Sequence, residues 1–193
     1  GALFILAKVA AAPDAIVLSG FGESSDAHHI SAPHPEGRGA IAAMQAALTM
    51  ADLSPSQIDY LNLHGTATPK NDAMESRAVQ QVFGKNLPAC SSTKPLTGHT
   101  LGAAGAIEAA FCYLLLSDYN RQQYLPPQVW DNQRDTNDPN LPLVSSATQT
   151  KIRHVMSNSF AFGGSNASLI LSRKLSAAES QLANDPQGIN QDV

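Results

Sequence analysis

The stretch PACSSTKPLTGHTLGAAGAIE, residues 88–108, crowds several reactive side chains into one short run. Cys90 stands beside two hydroxyl residues, Lys94 and His99 follow, and Glu108 closes a glycine–alanine run. Two chemistries fit these residue types. Cys90 could be a nucleophile served by Lys94 and His99, because a thiol reacts as its thiolate and needs a cation or a base to form it near neutral pH. Alternatively, Lys94 and His99 belong to a site whose nucleophile lies elsewhere. Glu108 constrains both readings: a carboxylate among apolar residues is costly unless paired, which points it at a cation such as Lys94.

Other candidate groups are weaker. His28, His29 and His34 share a loop, but their spacing matches no standard metal site, so they read as solvated histidines. His154 belongs to no motif. Asp131, Asp135 and Asp138 read as solvated acids in an Asn/Pro-rich loop. The glycines of FGGSN and LGAAG lack the spacing of a phosphate-binding or dinucleotide loop. Cys112, with apolar neighbours on both sides in a helical pattern, reads as core. Asp72 reads as a helix cap, with Glu75 three residues on completing a capping box.

The elements that must carry these side chains alternate. Residues 3–7, 16–19, 58–63 and 89–92 are expected strands, bounded by Gly, Pro and Asp. Residues 155–160 and 167–172 are expected as a closing hairpin around FGGSN. Helices are expected from about residue 36 or 39 to the Ser54-Pro55 break, from Asp72 to Gly84, and over residues 101–116. The last of these is apolar all round apart from Glu108, which belongs in an interior, and Gly102 and Gly105 would let another backbone approach closely. GFGESSDAHHISAPHPEGRG reads as a surface loop, residues 124–143 as a long loop, and the tail from residue 175 as a short helical stretch followed by a flexible end. The sum is an α/β architecture, a mixed five-stranded sheet covered by helices with a buried Ala/Gly-rich helix.

At 193 residues and 43% apolar composition, the chain is long enough for one domain with a real core. A net charge of -4 argues against a nucleic-acid or anionic-membrane surface. Two cysteines in apolar surroundings suit a reducing, cytoplasmic setting rather than a disulfide framework. No segment approaches the roughly 20 apolar residues of a membrane span. The opening GALFILAKVA carries no initiator Met or signal-peptide layout, so the chain is expected to be part of something longer.

Three segments in order, HGTATPKND from His64, STKPLTGHTLGAAGAIE from Ser92 and NSFAFGGSN from Asn158, resemble the C-terminal half of the β-ketoacyl-acyl-carrier-protein synthases. GFGESSDAHHISAPHPEG is similar as well, and the resemblance covers residues 1–174, leaving 175–193 as a tail. It implies a thiolase-like fold and decarboxylative Claisen condensation of acyl and malonyl thioesters in fatty-acid or polyketide-type synthesis. By resemblance His64 and His99 are the paired histidines of the site, Lys94 its lysine and Glu108 the glutamate beside it. Thr66 and Thr68 match the threonines that contact the phosphopantetheine arm of acyl carrier protein. Phe160, Phe162, Gly163 and Gly164 match a flexible loop that gates the acyl pocket. No bound cofactor or metal is implied.

The family's nucleophile sits at a helix N-terminus in the other half, where backbone amides and the dipole stabilise a thiolate. Cys90, on an expected strand, lacks that help, so the resemblance makes it a bystander. The chain is then expected to need a missing N-terminal half or a partner chain that carries the nucleophilic cysteine, within a dimer. The rival expectation is a non-catalytic subunit similar to a chain-length factor. Such subunits typically lose active-site residues that are retained here. Thiolase proper fits less well, because its second catalytic cysteine near the C-terminus has no counterpart.

Overall fold

The computed structural model describes residues 1–8, 14–133, 138–146 and 148–174. Five strands form one mixed sheet in the order β1-β5-β4-β2-β3. Their spans are β1 (Ile16–Ser25), β2 (Tyr60–Asn62), β3 (Ala89–Ser91), β4 (His154–Phe160) and β5 (Ser165–Arg173). β1, β5 and β4 pair antiparallel, while β2 lies parallel to both β4 and β3. The closing hairpin is thus β4–β5.

Strand alternation sends side chains to two different layers. Leu61, Met156 and Ile170 face α1 (Arg38–Ala51) and α2 (Pro69–Phe83), and pack with Met44, Leu48, Val79 and Phe83. Tyr60 and Val155 face the other way and pack with Cys112 and Leu116 of α4 (Ala104–Leu116) and with Leu125 and Val144. The sheet is therefore covered by helices on both faces. α4 gives the sheet Ala104, Glu108, Ala109, Cys112 and Leu116. Its other side leaves Tyr113 and Leu114 more than two-fifths exposed in this chain, as an all-apolar helix does when only one face is covered. Gly105 earns its place by close approach, since a Cβ there would meet Ser159 Oγ at 3.1 Å, whereas Gly102 faces open space.

Four expectations need correction. Residues 3–7 form no strand, and Leu3 and Ile5 are more than nine-tenths exposed. An apolar run becomes a strand only when a neighbour completes its ladder, and no strand pairs with it among the described residues. β1, by contrast, continues through GFGESS as far as Ser25, where a loop was expected. Its glycines are not turn signals. They let the strand lie against α1, where a Cβ at Gly20 would sit 2.2 Å from the Ala47 carbonyl oxygen and one at Gly22 2.1 Å from that of Ala43. The second helix begins at Pro69, not Asp72, because proline at the first position is preorganised for a helix start. Its Glu75 therefore does not cap the helix. The helix expected over residues 101–116 is split into a short 3-10 turn, Leu101–Ala103, and α4. Residues 124–143 are irregular where described, but backbone bonds from Leu125 to Thr148 and from Gln128 to Val144 tie them down. The tail from residue 175 and Asp135 lie outside the described residues.

Candidate active site

His64 lies two residues past the end of β2 and is 6% exposed. The turn beneath it depends on Gly65, whose φ is +43° and whose Cβ would meet Ser92 Cβ at 2.5 Å. Glu75, on the buried side of α2, accepts hydrogen bonds from the His64 and Gly65 amides, each at 2.8 Å. Ser92 Oγ donates to the Gly65 carbonyl at 2.9 Å, and the Ser92 amide donates to Gln128 Oε1 at 2.7 Å.

Lys94 opens a single helical turn, α3 (Lys94–Thr97), just past β3, and is itself buried. Its ammonium forms an ion pair with Glu108 of α4, which is also buried. Taking two charges out of water is costly, and only their close mutual contact offsets it. The same Nζ lies 3.5 Å from His64 Nδ1. Burial pushes the Glu108 carboxyl above the usual carboxylate range, and the Lys94 hydrogen bond opposes that rise.

His99 lies on the exposed loop between α3 and α4, its ring 5.5 Å from that of His64 and nearly perpendicular to it. The Leu101 amide donates to His99 Nδ1 at 3.2 Å. A backbone N–H can only donate, so Nδ1 is the bare nitrogen and Nε2 carries the proton. At His64 the Lys94 ammonium faces Nδ1 and selects the same tautomer. Burial first, then Lys94 and His99, depress the His64 pKa to about 3. Partial burial and Lys94 lower His99 as well. Both rings are therefore neutral at pH 7, and each presents an Nε2–H donor. Two fixed, uncharged donors side by side suit an oxygen that gains negative charge during a reaction.

The other positions of interest surround this pair. Thr66 and Thr68 approach within 2.9 Å through their hydroxyls. Thr66 helps line a cleft of about 780 Å³ that also reaches Lys94, His99, Val129 and Trp130. Phe160 is buried at the end of β4 with its ring 5.9 Å from His64, while Phe162 is 78% exposed. Between them and β5, Gly163 and Gly164 have φ of +82° and +77°. This loop is tied to the histidine-rich one by bonds from the Gly163 amide to the Ile30 carbonyl and from the Asp26 amide to the Gly164 carbonyl, both 2.8 Å.

Neither cysteine is set up to react. Cys90 and Cys112 are buried, and burial pushes both thiols up to about 12. Among the described residues no cluster of His, Cys, Asp and Glu suits a metal, and no helix is long and apolar enough to cross a membrane. His28 and His34 do meet, with ring centroids 4.9 Å apart, but no third ligand joins them among the described residues. Sequence reasoning missed Glu75, Ser92 and Gln128. Glu75 could have been found as Glu108 was, since it interrupts the buried stripe Met74, Ala78 and Val79 with a carboxylate that must have partners.

Residues 15–129 match the family "Beta-ketoacyl synthase, C-terminal domain". The chain is 45% identical over 161 residues to a mitochondrial 3-oxoacyl-acyl-carrier-protein synthase of Arabidopsis thaliana, covering 79% of this chain and 33% of that protein. It is 42% identical over 156 residues to 3-oxoacyl-acyl-carrier-protein synthase 1 of Escherichia coli K12, covering 81% and 36%. Among solved structures it is similar to a chain of the complex between the ketosynthase ApeO and its chain length factor ApeC from Xenorhabdus doucetiae. That match has 55% identity and a TM-score of 0.76, over 82% of this chain and 39% of that one. The chain thus spans about a third of the length of these curated relatives. With the motifs at His64, Lys94 and His99 inside the matched span, the chain belongs to the family of β-ketoacyl synthase C-terminal domains.

Proposed function

We propose that this chain supplies the electrophilic half of a condensing site, in which acyl and malonyl groups carried on acyl carrier protein are joined. The observation that carries this reading is the pair of neutral imidazoles, His64 and His99, backed by the buried Lys94–Glu108 ion pair. A cysteine from another segment or a partner chain holds the acyl group as a thioester. The malonyl thioester loses carbon dioxide, its bonding electrons form an enolate, and that carbon attacks the acyl carbonyl and expels the thiolate. Charge on the enolate oxygen falls to the two Nε2–H donors; each such donor is worth on the order of 3 kcal/mol in other enzymes. Thr66 and Thr68 receive the phosphopantetheine arm, and Phe160, Phe162, Gly163 and Gly164 form the gate to the acyl pocket. The reading carries with it a domain over residues 1–174 with a tail from 175, a cytoplasmic setting and a dimer.

The test is condensation by the assembled enzyme, with acyl- and malonyl-carrier proteins as substrates. His64→Ala/His99→Ala should abolish product, and an unchanged rate sinks the reading. A subunit similar to a chain-length factor is the second reading, because the similar solved structure contains both a ketosynthase and such a factor. Retention of both histidines and the lysine favours the catalytic role. A thioester trapped on a cysteine of the adjoining segment, rather than of a separate subunit with its own histidine pair, decides between them.

A further inference from the structure

Resting on that functional reading, we infer that Glu75 is a positioning residue of the site: its carboxylate grips the His64–Gly65 turn through both amides and so aims the His64 imidazole at the reacting oxygen. Glu75 is 2% exposed, and among the described residues no cation forms an ion pair with it. Its partners are the two amides at 2.8 Å and, at 3.5 Å, Asn71 Nδ2. Two successive N–H groups aimed at one side chain need two acceptor oxygens there. A carboxylate offers both; a glutamine offers one and turns an NH₂ donor against the other. Ser92 holds the same turn at the Gly65 carbonyl, so the backbone beneath His64 is fixed at donors and acceptor alike. An apolar residue at this position would leave both amides of the His64–Gly65 turn without an acceptor.

The groups facing Glu75 are Asp72 on its own helix, Lys94 at the start of α3, Cys90 on β3 and His64 itself. Burial raises the carboxyl to about 7 against the pull of the two amides, with Asp72 raising it further and Lys94 lowering it. Once protonated, one oxygen carries a hydrogen that faces an N–H, and the grip is lost. His64 is already neutral at pH 7, so an acid limb near pH 7 belongs to Glu75 rather than to His64.

In the assembled enzyme, Glu75→Gln should lower kcat on the order of 100-fold while KM stays within about two-fold, since the misplaced ring affects the transition state more than binding. In a His64→Ala background the same change should cost nothing further, and the acid limb of the wild-type pH profile should vanish in the Glu75→Gln protein. An unchanged kcat, or an equal loss with His64 already removed, overturns the inference. If Glu75→Gln fails to fold, amide exchange in the wild type decides. His64 and Gly65 amides protected as deeply as those of β2 support the grip, and exchange at exposed-loop rates overturns it. Inactive wild-type enzyme with protected amides sinks the functional reading alone, whereas active wild-type enzyme with a silent Glu75→Gln sinks this one alone.

Discussion

Lys94 and Glu108 show how a single buried charge depends on its partner. Both side chains are almost fully enclosed, and each is tolerable only because the other is there. Removing one leaves the other stranded in a poor dielectric, whereas replacing both with apolar residues of similar size removes the problem. Lys94→Met should therefore destabilise the protein by about 3 kcal/mol. Lys94→Met/Glu108→Leu should recover most of that loss, and on the proposed function neither variant should support condensation. Urea denaturation at pH 7 checks the order. A double variant less stable than Lys94→Met by a further increment would show that the pair contributes net stability of its own.

At the scale of elements, Gly163 and Gly164 make a graded comparison in the loop between β4 and β5. Both have left-handed φ, which costs an L-residue roughly 1 kcal/mol. They differ in space. A Cβ at Gly163 meets nothing within 4 Å, but one at Gly164 lies 2.9 Å from Asp26 Cβ and 3.2 Å from the Asp26 amide nitrogen. Gly164→Ala must also push the histidine-rich loop away, so its loss on thermal melting should exceed that of Gly163→Ala; equal losses would mean that the two loops separate freely. This contact was not legible in the sequence, because it joins residues 138 positions apart through backbone atoms. Glu108 was legible, since a lone carboxylate in an apolar helix states its own need for a cation. Glu75 was legible only in part: its place in a buried stripe calls for partners, but D-x-x-E also satisfies a helix-capping pattern locally, and only the folded turn reveals which amides it faces. The glycines of β1 misled for a related reason: close approach to a helix and freedom to turn call for the same residue.

For the whole molecule, the two buried groups on either side of the His64 turn give folding stability opposite dependences on pH. The folded-state pKa of His64 is depressed from 6.5 to about 3. Between those values the unfolded chain binds more protons, so this contribution is complete above pH 6.5 and is lost as pH falls toward 3. The carboxyl of Glu75 is raised from 4.5 to about 7. Here the folded chain binds more protons, so this contribution is complete below pH 4.5 and is lost as pH rises through 7. Each group can tilt the stability curve by at most about 1.4 kcal/mol per pH unit inside its window. Asp72 and Glu108, also raised, lean with Glu75, while His99 and His154, also lowered, lean with His64, so the wild-type curve mixes both signs. Differences between variants separate them. Relative to wild type, His64→Ala should gain stability as pH falls from 6.5 to 4.5, because the acid loss has been removed. Glu75→Gln should lose stability relative to wild type over the same interval, because the acid gain has been removed. Urea midpoints measured in steps across that range read both slopes, and two variant curves that run parallel to the wild type would show that neither group changes its proton on unfolding.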